Sequence, residues 1–379
     1  MDIEASRKRI DEIDSELTKL FCERMKTVED IATYKSERGM PIYNPTRERE
    51  VLAKVVEGAG DGLAMPAKVL FQVMMDLSRA HQVQIIKKET ELSRSIRAAI
   101  EGTPKTFPQG GTVACQGVEG AYSQIAADRL FPLGNLMFFK NFEGVFGAVQ
   151  SGLCKYGVLP IENSSAGTVT AVYDLMRHYK FSIVRPIKMK IDHRLLTRGK
   201  KKLSEIREVY SHAQAIGQCS RFLAAHPEIK VNICENTAMA AKLVSESDRD
   251  DIAAIASSPC APIYGLTSLD EKIQNSESNF TRFICISKDM QIFPGSEKIS
   301  IMFSLPHTPG SLYAMMSKFA SLGLNLTKLE SRPIEGSDFE FRFFVDYDAS
   351  VYSDEALVML DELSASCEEF TFLGGYSEV

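Results

Sequence analysis

The stretch Leu17-Thr18-Lys19-Leu20-Phe21-Cys22-Glu23-Arg24-Met25-Lys26-Thr27-Val28-Glu29-Asp30-Ile31-Ala32-Thr33-Tyr34-Lys35 repeats its apolar residues every three or four positions, the period of one face of an α-helix. Ile10 and Ile13 continue that face toward the N-terminus. Leu17, Arg24 and Ile31 lie seven apart, as do Val28 and Lys35, so two cations stand on the stripe that should meet a core. At 100° per residue Lys35 falls within about 20° of Arg24, about three turns further along. A buried cation is costly unless a negative group meets it. The alternative is that both side chains snorkel to solvent or pair with internal acids. Arg7 is rotated about 100° from this pair. One way for all three to reach one ligand is for Arg7 to enter the pocket of a second protomer, with the long helices interlocked.

Outward from this helix, Gly39-Met40-Pro41 ends it, Pro45 opens a second, and Pro66 suits the first turn of a third. On the third helix Phe71, Met74, Met75, Leu77 and Ile85 form an apolar face that Ser78 and Gln82 interrupt at i and i+4. Such a pair serves either as an internal hydrogen bond or as ligand donors. Residues 1–100 therefore read as an all-α, three-helix domain, and 101–111, rich in Pro, Gly and Thr, as a linker.

From 112 to 290 short apolar runs alternate with helical stretches: Thr112–Cys115, Met137–Phe139, Tyr156–Ile161, Phe181–Ile191, Val209–Ser211, Val231–Cys234 and Ile252–Ala256 read as strands. This is the pattern of an α/β domain with length for two lobes, and sites in such folds lie in clefts or at strand ends. Residues 297–379 read as strand Lys298–Leu305, helix Gly310–Leu322, strands Asn325–Arg332 and Phe339–Tyr347, helix Asp354–Ser364 and strand Phe370–Leu373. The order is βαββαβ, an α+β ferredoxin-like arrangement.

Composition excludes several classes. The net charge of −6 argues against nucleic-acid binding, which needs a basic surface. No apolar run approaches the ~20 residues that span a bilayer. Met1-Asp2-Ile3-Glu4-Ala5 has neither a basic n-region nor an apolar h-region, so a cytoplasmic location is expected. The eight cysteines are scattered without a C-x-x-C pair, and the six histidines form no ligand cluster, so no metal and no cofactor is expected.

Several loops at strand ends carry polar residues. Gly117-Val118-Glu119-Gly120-Ala121-Tyr122-Ser123 either starts a helix or offers backbone N–H groups to an anion. Pro160-Ile161-Glu162-Asn163-Ser164-Ser165-Ala166-Gly167-Thr168-Val169 crowds small and polar residues onto a buried strand's end, as turn and cap or as a site. Ser211-His212-Ala213-Gln214-Ala215-Ile216-Gly217-Gln218-Cys219 and Asn279-Phe280-Thr281-Arg282-Phe283 have the same two readings. So do Thr308-Pro309-Gly310-Ser311-Leu312-Tyr313, at a helix start, and Glu330-Ser331-Arg332-Pro333, at a strand end, which together offer a carboxylate and an ammonium their partners.

Taken together these motifs resemble known families. Arg7-x-x-Ile10, Glu23-Arg24, Lys35, Pro41, Arg47-Glu48, Ser78 and Gln82 are similar to the helical AroQ class of chorismate mutases, across nearly the whole first domain. The resemblance implies an interlocked dimer in which Arg7 of one chain and Arg24 of the other hold the two carboxylates of chorismate, with Arg47 nearby. Lys35 and Gln82 donate to the ether oxygen, Glu48 accepts from the ring hydroxyl, and Ser78 assists a carboxylate. Asn44 stands where members often have an acid that contacts that hydroxyl. Such a rearrangement needs only restriction and preorganised charge.

The 112–290 segment resembles prephenate dehydratases, including His193-Arg194-Leu195-Leu196, Asn236-Thr237-Ala238-Met239-Ala240-Ala241 and Tyr264-Gly265-Leu266. The resemblance implies that Thr281 helps hydroxide leave prephenate as carbon dioxide departs, with Arg282 polarising it or holding a carboxylate. Glu162, Asn163, Ser164, Thr168, Ser211 and Gln218 would line the cleft. Ala213 and Asn236 replace a usual Pro and Ser. The last segment resembles the ACT domain of phenylalanine-regulated dehydratases, which implies L-phenylalanine bound by Gly310, Ser311, Leu312, Glu330, Ser331 and Arg332. The implied whole is an enzyme of phenylalanine biosynthesis that takes chorismate and prephenate as substrates and forms a homodimer or higher homo-oligomer. A nicotinamide-dependent dehydrogenase is the weaker alternative, because no strand leads into G-x-G-x-x-G. A non-catalytic sensor would need neither Thr281-Arg282 nor the helical cations.

Overall fold

The computed structural model of the chain describes residues 3–86, 90–270, 272–308, 310–334 and 341–379. Pro309 and the Phe339 start of one expected strand lie outside the described residues. The chain forms two compact units, Met1–Ala98 with Glu297–Phe372, and Ala99–Ser296 with Leu373–Val379.

The first unit begins with α1 (Ile3–Glu37), α2 (Pro45–Ala59) and α3 (Ala64–Ile86). Gly39 takes a left-handed φ of 62° just beyond α1, which an L side chain disfavours. Asn44 caps α2 by accepting from the Arg47 N–H at 3.1 Å, and Pro45 fills its first turn, where a missing N–H costs nothing. A fourth helix, α4 (Glu91–Gly102), adds to the three expected and runs into the expected linker. Leu92, Ile96 and Ile100 supply its four-residue spacing, within a stretch whose Ser and Arg content masks it.

The second unit holds two sheets. The first lobe contains β1 (Gly110–Gln116), α5 (Tyr122–Leu130), β2 (Leu133–Phe139), α6 (Phe142–Gln150), β3 (Tyr156–Asn163), β4 (Gly167–Thr168), α7 (Thr170–Tyr179) and β5 (Ser182–Lys190). The second lobe contains β6 (His193–Arg198), β7 (Glu208–Ser211), α8 (Ala213–Gln218), α9 (Ser220–Ala225), β8 (Lys230–Ile233), α10 (Thr237–Glu246), β9 (Ile252–Ser257), α11 (Cys260–Ile263) and β10 (Leu266–Asp270). The chain then returns through β11 (Phe280–Ser287) to the first sheet. Their orders are β2-β1-β3-β11-β5, with β4 on β3, and β10-β6-β9-β7-β8. β6, β10 and β11 were not read as strands in the sequence, because their polar ends resemble loops. β9 is buried along its whole length, with Ala253 and Ile255 in one core cluster and Ile252, Ala254 and Ala256 in another, as a strand covered on both faces must be.

The last elements are β12 (Lys298–Ser304), α12 (Ser311–Ser321), β13 (Asn325–Pro333), β14 (Phe341–Asp348), α13 (Asp354–Ser366) and β15 (Phe370–Tyr376). Their sheet runs β13-β14-β12-β15, leaving β13 at an edge. Within the first unit α3 packs against α1, α2, α12 and α13.

Candidate active sites

In the helical layer, α1 and α3 bring the expected cations to the expected neutral donors. The Arg24 guanidinium donates to Ser78 Oγ and, at 3.4 Å, to the Met74 carbonyl. Lys35 Nζ donates to the Ile42 carbonyl at 2.5 Å and to Gln82 Oε1 at 3.3 Å. Burial holds both cations below their ordinary pKa ranges, and the Glu48 carboxylate partly offsets this for Lys35. Desolvated cations of this kind gain most when an anion arrives.

Arg7 is not brought to this cluster within one chain, since seventeen residues of helix put it about 25 Å from Arg24 along α1. Arg47 is exposed and pairs with Glu50 at 3.3 Å. Asn44 is occupied as the α2 cap. Glu48 is met by Arg79, which also meets Asp76. Burial opposes the Arg79 charge, but the Glu48 hydrogen bond and the two carboxylates outweigh it and raise its pKa. Arg79 escaped the sequence reading, although its i,i+3 spacing from Asp76 was visible. Asp76 is buried and lines one small cavity with Lys318 and Glu362, which pair at 2.8 Å.

In the second unit, the end of β3 and the start of β11 lie in register, with Thr281 opposite Asn163. Asn163 Oδ1 accepts from the main-chain N–H groups of Ser165 and Ala166, at 3.0 and 2.9 Å. Those groups only donate, so the amide orientation is fixed and Nδ2 faces Asn279 Oδ1 at 2.8 Å and Thr281 Oγ1 at 2.9 Å. The same logic propagates: Asn279 Nδ2 donates to Gln218 Oε1 at 3.0 Å, and His193 Nε2, 2.9 Å from that oxygen, must carry hydrogen. Burial lowers the pKa of His193 against the Gln218 hydrogen bond and the Asp192 charge, in keeping with a neutral ring whose Nδ1 lies 3.4 Å from Tyr122 Oη. Thr281 thus accepts from Asn163 and keeps its own O–H to give. Asn163, Asn279, His193 and Thr281 are all buried.

A cavity of about 290 Å³ opens beside the network, lined by Ser165, Gln214, Gln218, Gln274, Ser276 and Asn279 among others. Ser164 ties β3 to β11, accepting from Phe280 N–H at 2.9 Å and donating to the Ser278 carbonyl at 3.1 Å. Glu162 and Thr168 face each other across β3 and β4. Ser211 is fully buried and donates to the Ile255 carbonyl at 2.6 Å, outside this network. Arg282 alternates to the other side of β11 and is met by Glu378 at 2.9 Å and Tyr376 Oη at 2.7 Å. His193, Asn279 and Tyr122 are members that sequence reasoning did not assign to the site, though all three sit inside motifs it had singled out.

Two of the remaining motifs have structural duties. Asn236 caps α10 through the Met239 N–H at 2.7 Å. The Gly117–Ser123 loop begins α5, and its Glu119 and Gly120 carbonyls accept from Tyr264 and Ser257. Gly310 stands at the start of α12 with φ 90° and offers no side chain to its first-turn N–H groups. Glu330 lies 3.4 Å from Lys328 and 3.7 Å from Arg332. Among the described residues no three His, Cys, Asp or Glu side chains gather to hold a metal ion, and no helix is long and apolar enough to cross a membrane.

Residues 6–83 match the family model of chorismate mutase type II, and residues 113–291 that of prephenate dehydratase. The chain is 30% identical over 381 residues to the bifunctional chorismate mutase/prephenate dehydratase of Escherichia coli strain K12, covering 98% of this chain and 95% of that protein. It is 31% identical over 378 residues to the protein of that name from Aquifex aeolicus, covering 99% and 98%. A solved prephenate dehydratase from Arthrobacter aurescens, in complex with L-Phe, aligns with a TM-score of 0.64 at 28% identity, over 70% of this chain and 89% of that one. With both catalytic segments matched in one chain, and relatives aligned from end to end, the chain belongs to the family of bifunctional chorismate mutase/prephenate dehydratases.

Proposed function

We propose that the two polar clusters are the two active sites of this enzyme, which rearranges chorismate to prephenate and converts prephenate to phenylpyruvate with loss of water and carbon dioxide. The observation that carries the reading is that each cluster is assembled within a different unit and holds the donors its reaction needs. In the helical pocket Arg24 receives a carboxylate, Lys35 and Gln82 turn to the ether oxygen as it gains charge, Ser78 supports the carboxylate and Glu48 accepts from the ring hydroxyl. Fixed charge in a dry pocket lowers such a barrier without covalent chemistry. Arg47 stands at the rim, and Arg7 completes the pocket from a second chain.

At the dehydratase site Thr281 donates to the departing hydroxyl. An unassisted alcohol is a poor acid; accepting from the Asn163 amide makes its O–H a stronger donor, since hydrogen bonds in a chain polarise one another. Gln218 and Asn279 hold Asn163 in place, while Glu162, Ser164 and Thr168 shape the strand end. The product ring is aromatic, so the site has only to start the departure.

The βαββαβ module we read as a ferredoxin-like ACT domain that binds L-phenylalanine, domains being divided at 1–100, 112–290 and 297–379. Support comes from the uncapped α12 start at Gly310-Ser311-Leu312, the Glu330-Ser331-Arg332 strand end, and the relative solved with L-Phe. Among the described residues β13 is an edge strand of its sheet, with Leu329 exposed, which suits a homodimer. The test is purified protein given chorismate without added cofactor: prephenate and then phenylpyruvate should appear, and L-phenylalanine should slow the second step. Failure to consume chorismate would overturn the mutase assignment, and prephenate accumulating untouched would overturn the dehydratase assignment.

A further inference from the structure

Beyond Phe372 the chain rejoins the dehydratase unit, and its last seven residues are built into the first sheet at three points. Gly374 presses its backbone onto β5: a Cβ there would stand 2.2 Å from the Ile183 carbonyl oxygen, so no larger residue fits. Val379 donates to the Pro186 carbonyl at 3.2 Å and accepts from Lys188 N–H at 3.0 Å, pairing with the outer side of edge strand β5. Between them Tyr376, 1% exposed, and Glu378 enclose the Arg282 guanidinium, whose carbon lies 5.7 Å from the Tyr376 ring centre.

Arg282 follows Thr281 on β11, and β5, one of the two strands flanking this pair, is the strand the tail engages. Thr281 and Arg282 stand opposite Met189 and Lys188 of β5 and opposite Asn163 and Glu162 of β3. Against β3 the ladder slips between Arg282 and Phe283, while against β5 it is unbroken from Phe280 to Cys285, so regular pairing holds this point from the side of the strand that the tail engages. A guanidinium with 13% of its side chain exposed that loses the Glu378 carboxylate shifts toward water or toward its remaining partners. Either movement pulls on the peptide that carries Thr281, and misplacement of a catalytic group by about 1 Å costs rate rather than binding.

We propose that Tyr376 and Glu378 are positioning residues of the dehydratase, setting Thr281 through Arg282, so that turnover depends on how the segment after Phe372 is seated. The inference rests on the reading of Thr281 as the proton donor. It gives Arg282 a role as the tail's anchor rather than as a carboxylate holder.

The test uses the full chain with Tyr376→Phe, Glu378→Gln and the double substitution, beside Thr281→Ala. Dehydratase kcat should fall about fivefold or more in the double variant with KM within about twofold, the pattern of a group that acts only on the transition state. Glu378→Asp should recover part of the loss, and mutase turnover, made in the other unit, should be unchanged. Wild-type kcat in the double variant alongside an inactive Thr281→Ala overturns the tail inference alone. A wild-type rate in Thr281→Ala overturns the proton-donor reading and the inference with it. A fall in kcat that matches a fall in the folded fraction by circular dichroism also overturns it, since the tail would then only stabilise.

Discussion

The residue that orders the proposed dehydratase site is Asn163. Two main-chain N–H groups settle which way its amide points, and from that one fact the donor and acceptor roles of Gln218, Asn279, His193 Nε2 and Thr281 follow. Removing the Thr281 hydroxyl should therefore lower kcat by about 10²–10⁴-fold, the usual worth of a positioned proton donor, with a smaller effect on KM. Thr281→Ser should retain more, and near-wild-type kinetics in both variants would remove Thr281 from the mechanism. His193 gives a pH test. Its folded pKa is depressed below the ordinary 6.5, so below that value the unfolded chain takes up a proton that the native ring refuses. Its contribution to stability is complete above pH 6.5 and is lost as the pH falls through the depressed value. The melting temperature of the wild-type protein should thus drop more steeply on acidification below about pH 6.5 than that of His193→Asn; parallel curves would show that the ring's protonation is not linked to folding.

At the scale of elements, α1 poses the main problem. It is 35 residues long, yet only Val28 and Ala32 are buried on it, while Ile10, Ile13, Leu17, Leu20 and Ile31 are 40% to 61% exposed. Each such side chain stabilises by about 1.5–3 kcal/mol when fully buried, so together they forgo an amount comparable to the ~5–15 kcal/mol stability of a whole domain. A second copy of the helix is the natural cover, and it would carry Arg7 toward the partner's Arg24 and Lys35. Mixing inactive Arg7→Ala and Lys35→Ala chains under subunit exchange should then restore part of the mutase activity, because one of the two pockets in a mixed dimer recovers both cations. Proven exchange without recovery would sink the shared pocket. Lys35→Ala alone should abolish mutase turnover and leave dehydration of added prephenate intact, the reacting atoms lying in different units.

For the whole molecule, the chain's return from the βαββαβ module to the catalytic sheet changes how feedback must be tested. A truncation near residue 290 would remove the module and the Arg282 anchor together, so altered kinetics could not be assigned to either. Full-length Gly310→Val and Glu330→Gln are the cleaner probes. They should raise the L-phenylalanine concentration needed for half inhibition by about tenfold, or about 1.4 kcal/mol, with uninhibited dehydratase kcat unchanged. By linkage a prephenate analogue should weaken L-phenylalanine binding by the factor that L-phenylalanine weakens the analogue's. Unchanged inhibition in both variants would place the effector elsewhere.

The sequence by itself determined whatever rests on local period and local chemistry. The 3.6-residue recurrence makes α1, Asn44 and Pro45 start α2, and seven-residue spacing aligns Arg24 with the apolar stripe, because helix geometry relates near neighbours in the chain. The motifs around Asn163 and Thr281 were equally legible as strand-end polar loops. What each side chain finally touches was decided by tertiary structure. Asn163 and Thr281 are 118 residues apart, and Arg282 and Tyr376 are 94 apart; their meeting depends on strand register and on where the chain returns. Arg282 was legible as a cation beside the threonine proposed as proton donor, but its side of the sheet and the Glu378 carboxylate were not. Arg79 escaped notice for the same reason, since its partner Glu48 lies on another helix. Local periodicity fixes which face a residue occupies; only the closed fold fixes what occupies the space opposite it.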